Sequence, residues 1–205
     1  MPEMRGTLVF DYDGVIADTE PLHWKSWAAL LSRYDIPFGW EEYCKIGLGV
    51  DDARICEALG GKAPSVGAAE LLRHNPERKR MVREWSLTDG PIPQETINLL
   101  RTLSDYRIGL VTSSERSEVE PILRAVQIYD IFDGMVFGED AAELKPSPAP
   151  YLLIARKLGV KSGIAFEDSV PGVESARSAG FNAVRIQDPR ALAQIVTRYL
   201  CQASS

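Results

Sequence analysis

Cysteine and histidine are scarce in this chain: its 205 residues include three cysteines, Cys44, Cys56 and Cys201, and two histidines. The cysteines are odd in number and form no Cys-x-x-Cys pair, so neither a disulfide framework nor a zinc site is indicated, and three ordinary thiols are expected. Long apolar runs are absent as well, which leaves no candidate membrane span. The first candidate strand begins within a few residues of Met1, so no signal peptide is expected and the expected location is cytoplasmic. Positive charge is thin: 23 basic side chains face 29 acidic ones, the net charge is −6, and no basic run exceeds Arg78-Lys79-Arg80. A nucleic-acid or membrane-surface footprint is therefore not expected, and an anionic ligand has to be held by local groups. Nucleotide-binding loops fail too. Gly47-x-Gly49 has no preceding strand and no third glycine, and Gly-x-x-x-x-Gly-Lys does not occur. Internal repeats and low-complexity tracts are missing.

What is present is an ordinary globular composition, 45% hydrophobic and 25% charged, enough for one domain or a domain with an insertion. Short apolar runs at Thr7 to Phe10, Ile108 to Val111, Met135 to Phe137, Ile164 to Phe166 and Ala183 to Ile186 alternate with helix-like stretches. Unbroken runs of this length suit strands covered on both faces, as in a parallel sheet. Ile97/Leu100/Leu103, Leu152/Ala155/Leu158 and Val173/Ala176/Ala179 are each spaced for one buried helical stripe. A βαβ architecture follows. Ser147-Pro148 reads as an N-cap and first-turn proline, Gly159 as the end of that helix, and Pro171-Gly172 as the opening of the next.

Nearly a hundred residues separate the first two candidate strands, far more than one crossover helix needs, so something is inserted. Trp24/Trp27/Leu31/Tyr34, Ile55/Ala58/Leu59 and Met81/Val82/Trp85 trace helical stripes, which predicts a small helical bundle over 19–87, broken at Gly60, Gly61 and Pro64. Pro91 and Pro93 mark the return to a sheet domain made of 1–18 and 88–205.

Chemistry-bearing residues gather where the strand candidates end. Asp11 and Asp13 follow the first, two positions apart, so both carboxylates can face one spot beyond the strand's carboxyl end, where open α/β sheets bind ligands. Gly14 then permits a turn wrapped around a small anion. Thr112-Ser113-Ser114 follows the second run; its hydroxyls and N–H groups suit phosphate oxygens, and equally suit ordinary turn chemistry. Lys145, before Pro146, presents an ammonium from a rigid loop, or is a plain solvated charge. Glu167-Asp168-Ser169 follows Phe166; the acids complete an oxygen ligand set for a hard cation such as Mg2+, or merely cap the next helix.

The order Asp-x-Asp-Gly, then Thr/Ser, then Lys, then an acidic pair, each after a successive strand, resembles the haloacid dehalogenase superfamily over nearly the whole chain. Asp13-Gly-Val-Ile-Ala-Asp-Thr-Glu-Pro-Leu-His23, Lys145-Pro-Ser-Pro and Phe166-Glu-Asp-Ser-Val-Pro-Gly-Val are similar to its β-phosphoglucomutase and sugar-phosphatase branch. The resemblance implies a doubly wound parallel sheet in the order 5-4-1-2-3 and a helical cap hinged near Asp18, Thr19 and Ser86 to Pro91. It implies a Mg2+-dependent phosphatase in which Asp11 attacks phosphorus and Asp13 protonates the leaving alkoxide and later activates water. Mg2+ is then held by Asp11, the Asp13 carbonyl and Asp168, with Glu167 close by. Gly14, Thr112, Ser113 and Lys145 bind the phosphate, and His23, at the cap hinge, gates or binds the sugar or is simply a surface residue. The implied partner is a small phosphorylated substrate, with no nucleic acid and no membrane, on a monomer or weak dimer.

Three departures bear on the function. Ala149 stands where the branch has an aspartate after Lys-Pro-x-Pro, with Ser147 able to cap the helix instead. A β-phosphoglucomutase presents an arginine to the distal phosphate from a cap loop that here reads Ile46-Gly47-Leu48-Gly49-Val50-Asp51-Asp52. Two acids there disfavour a second phosphate and hence a mutase, although Arg54 is near. Asp13 itself separates the chain from true dehalogenases. A phospho-receiver signalling module shares the aspartate, threonine and lysine, but places its nucleophile differently and lacks the insertion. Trp24 and Trp27 share a stripe with Leu31 and Tyr34 and are expected to be core rather than a sugar-stacking platform.

Overall fold

Thr7–Phe10 forms the first strand, β1, at the centre of a five-stranded parallel sheet. The computed structural model describes residues 5–47, 50, 52–62 and 66–203. Leu48, Gly49, Asp51 and Pro64, which entered the reading above, lie outside them. Beside β1 run β2 (Arg107–Val111), β3 (Gly134–Val136), β4 (Ile164–Glu167) and β5 (Asn182–Arg185). Their order is β3-β2-β1-β4-β5, which is the expected 5-4-1-2-3 read from the other edge. Phe10 pairs in register with Leu110 and with Phe166, so the carboxyl ends of β1, β2 and β4 finish on one line.

The apolar runs are continuous because both faces of the sheet are covered. Along β1 the side chains alternate: Leu8 and Phe10 enter one core layer and Val9 the other. The first layer is completed by Ile97, Leu99 and Leu100 of α6 (Gln94–Thr102), Val119, Ile122 and Leu123 of α7 (Arg116–Ala125), and Leu192 and Val196 of α10 (Leu192–Ala203). Phe10 and Phe166 stack within it at 5.0 Å between ring centroids. The second layer packs α8 (Ala149–Leu158) and α9 (Val170–Ser178) on the opposite face.

Two details of the helical reading shift. In α8 the buried positions are Tyr151, Ile154, Ala155 and Leu158, whereas Leu152 faces solvent. The helix starts at Ala149 with Pro148 as its N-cap, and the Ser147 hydroxyl accepts from the Ala149 N–H at 3.3 Å, so Ser147 supports the first turn from one residue further out. Gly159 closes α8 in a left-handed conformation, as expected, and Ser169 caps α9 by accepting from the Gly172 N–H at 3.1 Å.

The chain divides into two compact units, Met1–Asp18 with Gly90–Ser205, and Thr19–Asp89. In the first, the Asp18 N–H donates to the Pro91 carbonyl at 2.8 Å, which ties together the two points where the chain leaves and re-enters. The second is helical: α1 (Glu20–Leu31), α2 (Trp40–Ile46), α3 (Asp52–Lys62), α4 (Ala68–Arg73) and α5 (Asn75–Asp89). Trp27, Leu30, Leu31, Tyr43, Ile55, Leu59 and Leu71 build its core. Trp27 is buried, while Trp24 is half-buried and meets the exposed Trp40 edge-on. Ala58 is exposed and Cys56 is buried in its stead. Gly60 and Gly61 do not break the bundle but lie inside α3, because a side chain at Gly60 would press on the backbone of α4 at Ala68. On α5 the expected stripe Met81/Val82/Trp85 is only half-buried; the buried residues are Arg78 and Ser86. Among the described residues no helix is long and apolar enough to cross a membrane.

Candidate active site

Asp11 continues the β1 ladder by one hydrogen bond, its N–H donating to the Phe166 carbonyl at 3.0 Å, which fixes its side chain at the carboxyl edge of the sheet. The carboxylate is buried, and its Oδ1 accepts from the Tyr12 N–H at 2.8 Å. The Lys145 ammonium lies 2.9 Å from that same oxygen and 2.7 Å from Oε1 of Glu167, and it donates to the Val111 carbonyl at 3.1 Å. Only 6% of the Lys145 side chain is exposed, so it is a buried counter-ion shared by two strand ends rather than a solvated charge. Its peptide bond to Pro146 is cis.

The electrostatics follow from crowding acids out of water. Burial, then Glu167, pushes the Asp11 carboxyl well above the ordinary range, with Lys145 opposing. Burial pulls Lys145 down, but Asp11 and Glu167 outweigh it and hold the ammonium firmly protonated. Tyr151 enters the same network, its hydroxyl donating to Glu167 Oε1 at 2.5 Å; burial first and Glu167 second push its proton affinity well up.

Asp11, Glu167 and Asp168 each place an oxygen within 4.8 Å of the others. Lys145 neutralises one of these three charges, and the two left over match one divalent cation. All donors are carboxylate oxygens, the preference of hard cations. Glu167 is fully buried and its Oε2 has no hydrogen-bond partner among the described residues, a costly arrangement unless a cation or its water takes that oxygen. The residues thus fit a metal of the Mg2+ kind.

Gly14 has φ of +70°, and its missing side chain is what admits the Asp168 carboxylate, which would overlap a Cβ there. The anion-wrapping turn expected at Gly14 is thus first of all a seat for Asp168. Asp13, half-buried, accepts a 2.6 Å hydrogen bond on Oδ2 from the Ser114 hydroxyl. The loop carrying that serine is shaped by the buried Thr112, whose Oγ1 accepts from the Ser114 N–H at 3.0 Å; Ser113 is exposed. Asp11, Asp13, Gly14, Thr112, Ser113, Lys145, Glu167 and Asp168 all belong to one unit and one sheet edge, while His23 sits half-buried on α1 of the other unit. Ser114, read in the sequence only as one of three loop hydroxyls, and Tyr151, which the sequence motifs did not include, complete the network. A tyrosine in an apolar stripe was the available signal for the second, since a buried hydroxyl demands a partner.

The chain is thus an α/β protein whose parallel sheet carries carboxylates, hydroxyls and one ammonium together on its carboxyl edge, where open α/β sheets bind ligands. Residues 8–186 match the family described as haloacid dehalogenase-like hydrolase. The chain is 32% identical over 183 residues to a phosphorylated carbohydrates phosphatase of Thermotoga maritima, across 86% of this chain and 82% of that protein. It is 29% identical over 191 residues to a fructose-1-phosphate phosphatase of Escherichia coli, across 91% and 99%. A solved beta-phosphoglucomutase from Clostridium difficile shares the fold, with a TM-score of 0.70 at 22% identity over 100% of both chains. The chain belongs to the haloacid dehalogenase-like hydrolase family and is an enzyme.

Proposed function

We propose that this hydrolase releases phosphate from a small phosphorylated metabolite, a sugar phosphate, through an aspartyl-phosphate on Asp11 with Mg2+ as cofactor. The observation that carries the reading is the Lys145 ammonium, buried and shared between Asp11 at 2.9 Å and Glu167 at 2.7 Å beside a hydroxyl-rich loop. The named activities of the Thermotoga and Escherichia relatives support the same substrate class.

Two donors converge on Asp11 Oδ1, which leaves Oδ2 as the attacking oxygen. Attack on phosphorus breaks the ester P–O bond, and Asp13 gives the leaving alkoxide its proton. Asp13 then takes a proton from water, which attacks the same phosphorus, frees phosphate and restores Asp11. Thr112, Ser113 and Lys145 hold the equatorial oxygens, so that positioning and charge supply most of the acceleration. Asp11, the Asp13 carbonyl and Asp168, with Glu167 alongside, would hold Mg2+, whose charge offsets the repulsion between carboxylate and phosphate. In this reading Thr19–Asp89 is the substrate-selecting cap, a role assigned from its place between β1 and α6, and His23 is its contribution to sugar recognition or gating.

Phosphate release across a panel of phosphomonoesters, with Mg2+ and with EDTA, tests this. Sugar phosphates are expected to lead and EDTA to abolish turnover; silence on every ester, or undiminished release in EDTA, overturns it. A mutase would instead form glucose 6-phosphate from β-glucose 1-phosphate in a coupled assay. A receiver module would accumulate a long-lived phosphoprotein without turnover.

A further inference from the structure

Glu167 is fully buried, and a buried carboxylate stays ionised only with donors aimed at it. Among the described residues it has two, Lys145 at 2.7 Å and the Tyr151 hydroxyl at 2.5 Å, and both reach Oε1. The two are not equivalent. Lys145 also serves Asp11 and the Val111 carbonyl, so its ammonium is divided among three acceptors. Tyr151 serves Glu167 alone among the described residues, and its ring cannot follow a moving carboxylate, because it is fully buried on α8 and lodged against Phe181 at 5.4 Å between centroids. The other oxygen, Oε2, rests against Gly172 at the start of α9 and faces no donor among the described residues.

We propose that Tyr151 is a positioning residue for the cation site: its hydroxyl pins Oε1 of Glu167 beside Lys145 and thereby reserves Oε2 for the cation. The inference rests on the metal reading above and adds to it a residue of α8, the helix that precedes β4. Without the hydroxyl, Glu167 is tethered only by an ammonium that Asp11 also claims, and rotation of its carboxylate turns the reserved oxygen away. Partners that orient metal ligands typically matter by about 10- to 100-fold in metal affinity.

The test is calorimetric titration of Mg2+ into the wild type, Tyr151→Phe, Glu167→Gln and the double variant, with melting curves in EDTA and in Mg2+. Tyr151→Phe is expected to bind Mg2+ about tenfold more weakly and to show a smaller Mg2+-induced rise in melting temperature, with KM for a phosphate ester unmoved at saturating Mg2+. In the Glu167→Gln background the second substitution is expected to add nothing, because Tyr151 acts only through that carboxylate. Equal Mg2+ affinity in wild type and Tyr151→Phe, or losses that simply add in the double variant, overturn the inference. A wild type that takes up no Mg2+ removes the metal reading and this inference together, so the two failures are told apart by the first titration.

Discussion

Ser114 and Asp13 stand 101 residues apart in the chain and 2.6 Å apart in the fold, hydroxyl donating to Oδ2 of the carboxylate. The contact exists because β1 and β2 are neighbours and end in register, which sets the loops after Phe10 and Val111 side by side. A donor to the group assigned the proton transfers fixes where its proton is delivered. Ser114→Ala removes a charge-assisted hydrogen bond of about 1.5–3 kcal/mol, and the lower end applies because both residues are half-exposed. We expect kcat/KM for a phosphate ester to fall about tenfold and the melting temperature to drop by only a few degrees. An unaltered kcat/KM would separate Ser114 from the chemistry.

The acids assigned to the reaction are at odds with stability. Burial and Glu167 push the Asp11 carboxyl well above its ordinary range. A carboxyl whose folded pKa is raised binds its proton more tightly in the folded chain, so stability declines as pH rises through the interval from the unfolded value to the folded one. At neutral pH, in EDTA, the buried Asp11 carboxyl is therefore a burden to the fold. Asp11→Asn is expected to abolish hydrolysis and yet to melt at a higher temperature than wild type in EDTA, with the gain shrinking as the pH is lowered toward 4. A variant that melts below wild type across that range would contradict the electrostatic account.

The sheet was legible because a strand covered on both faces must be apolar at every position, and Leu8-Val9-Phe10 is such a run. The gathering of Asp11, Glu167 and Asp168 at one edge was legible because charge placed at the end of such runs has one edge to go to, whereas Lys145 returns to that edge only after a loop beyond β3. What escaped has physical reasons. Ser114 looked like turn chemistry until the neighbouring strand brought Asp13 to it. Tyr151 was hidden by the phase of the α8 stripe, which the spacing placed on Leu152 although that residue is exposed. Arg78 was invisible to any hydrophobic pattern: a buried cation is recognisable only from the partners that surround it.

Those partners make Arg78 a test of the helical unit. Its guanidinium lies 3.5 Å from the centre of the Trp27 ring, and Nη1 donates to Asp52 at 2.8 Å and to Asn75 at 3.1 Å. Burial pulls its proton affinity down and Asp52 pulls it back, so the cation persists. Arg78→Ala leaves Asp52 without that partner and opens a gap against Trp27, for a loss of about 3 kcal/mol, the low end for a broken buried pair because the Asp52 side chain is 30% exposed. Chemical denaturation reads the loss. Arg78→Met, which refills the gap without the charge, is expected to recover part of it, and a variant within 0.5 kcal/mol or so of wild type would mean that the stacked cation contributes little.

Gly138 decides whether the hydroxyl loop keeps its shape. Its N–H donates to the Ser114 carbonyl at 2.9 Å, and a Cβ at this position would overlap the Ser113 carbonyl oxygen. The turn is held in place by Arg116, whose guanidinium covers the Phe137 ring at 4.1 Å and pairs with Asp140 at 3.2 Å. A methyl group therefore displaces the loop rather than the turn. Overpacking of this kind costs about 1–3 kcal/mol of stability, but the larger consequence is chemical: Ser114 moves off Asp13, and Thr112 and Ser113 move out of the place the proposed mechanism gives them. Gly138→Ala is expected to raise KM and lower kcat together, each by about tenfold on the usual scale of one lost hydrogen bond, whereas Ser114→Ala lowers kcat with little change in KM. Steady-state kinetics of the two variants side by side distinguish them, and a Gly138→Ala enzyme with wild-type KM would show that the loop tolerates the intrusion and that phosphate is held elsewhere.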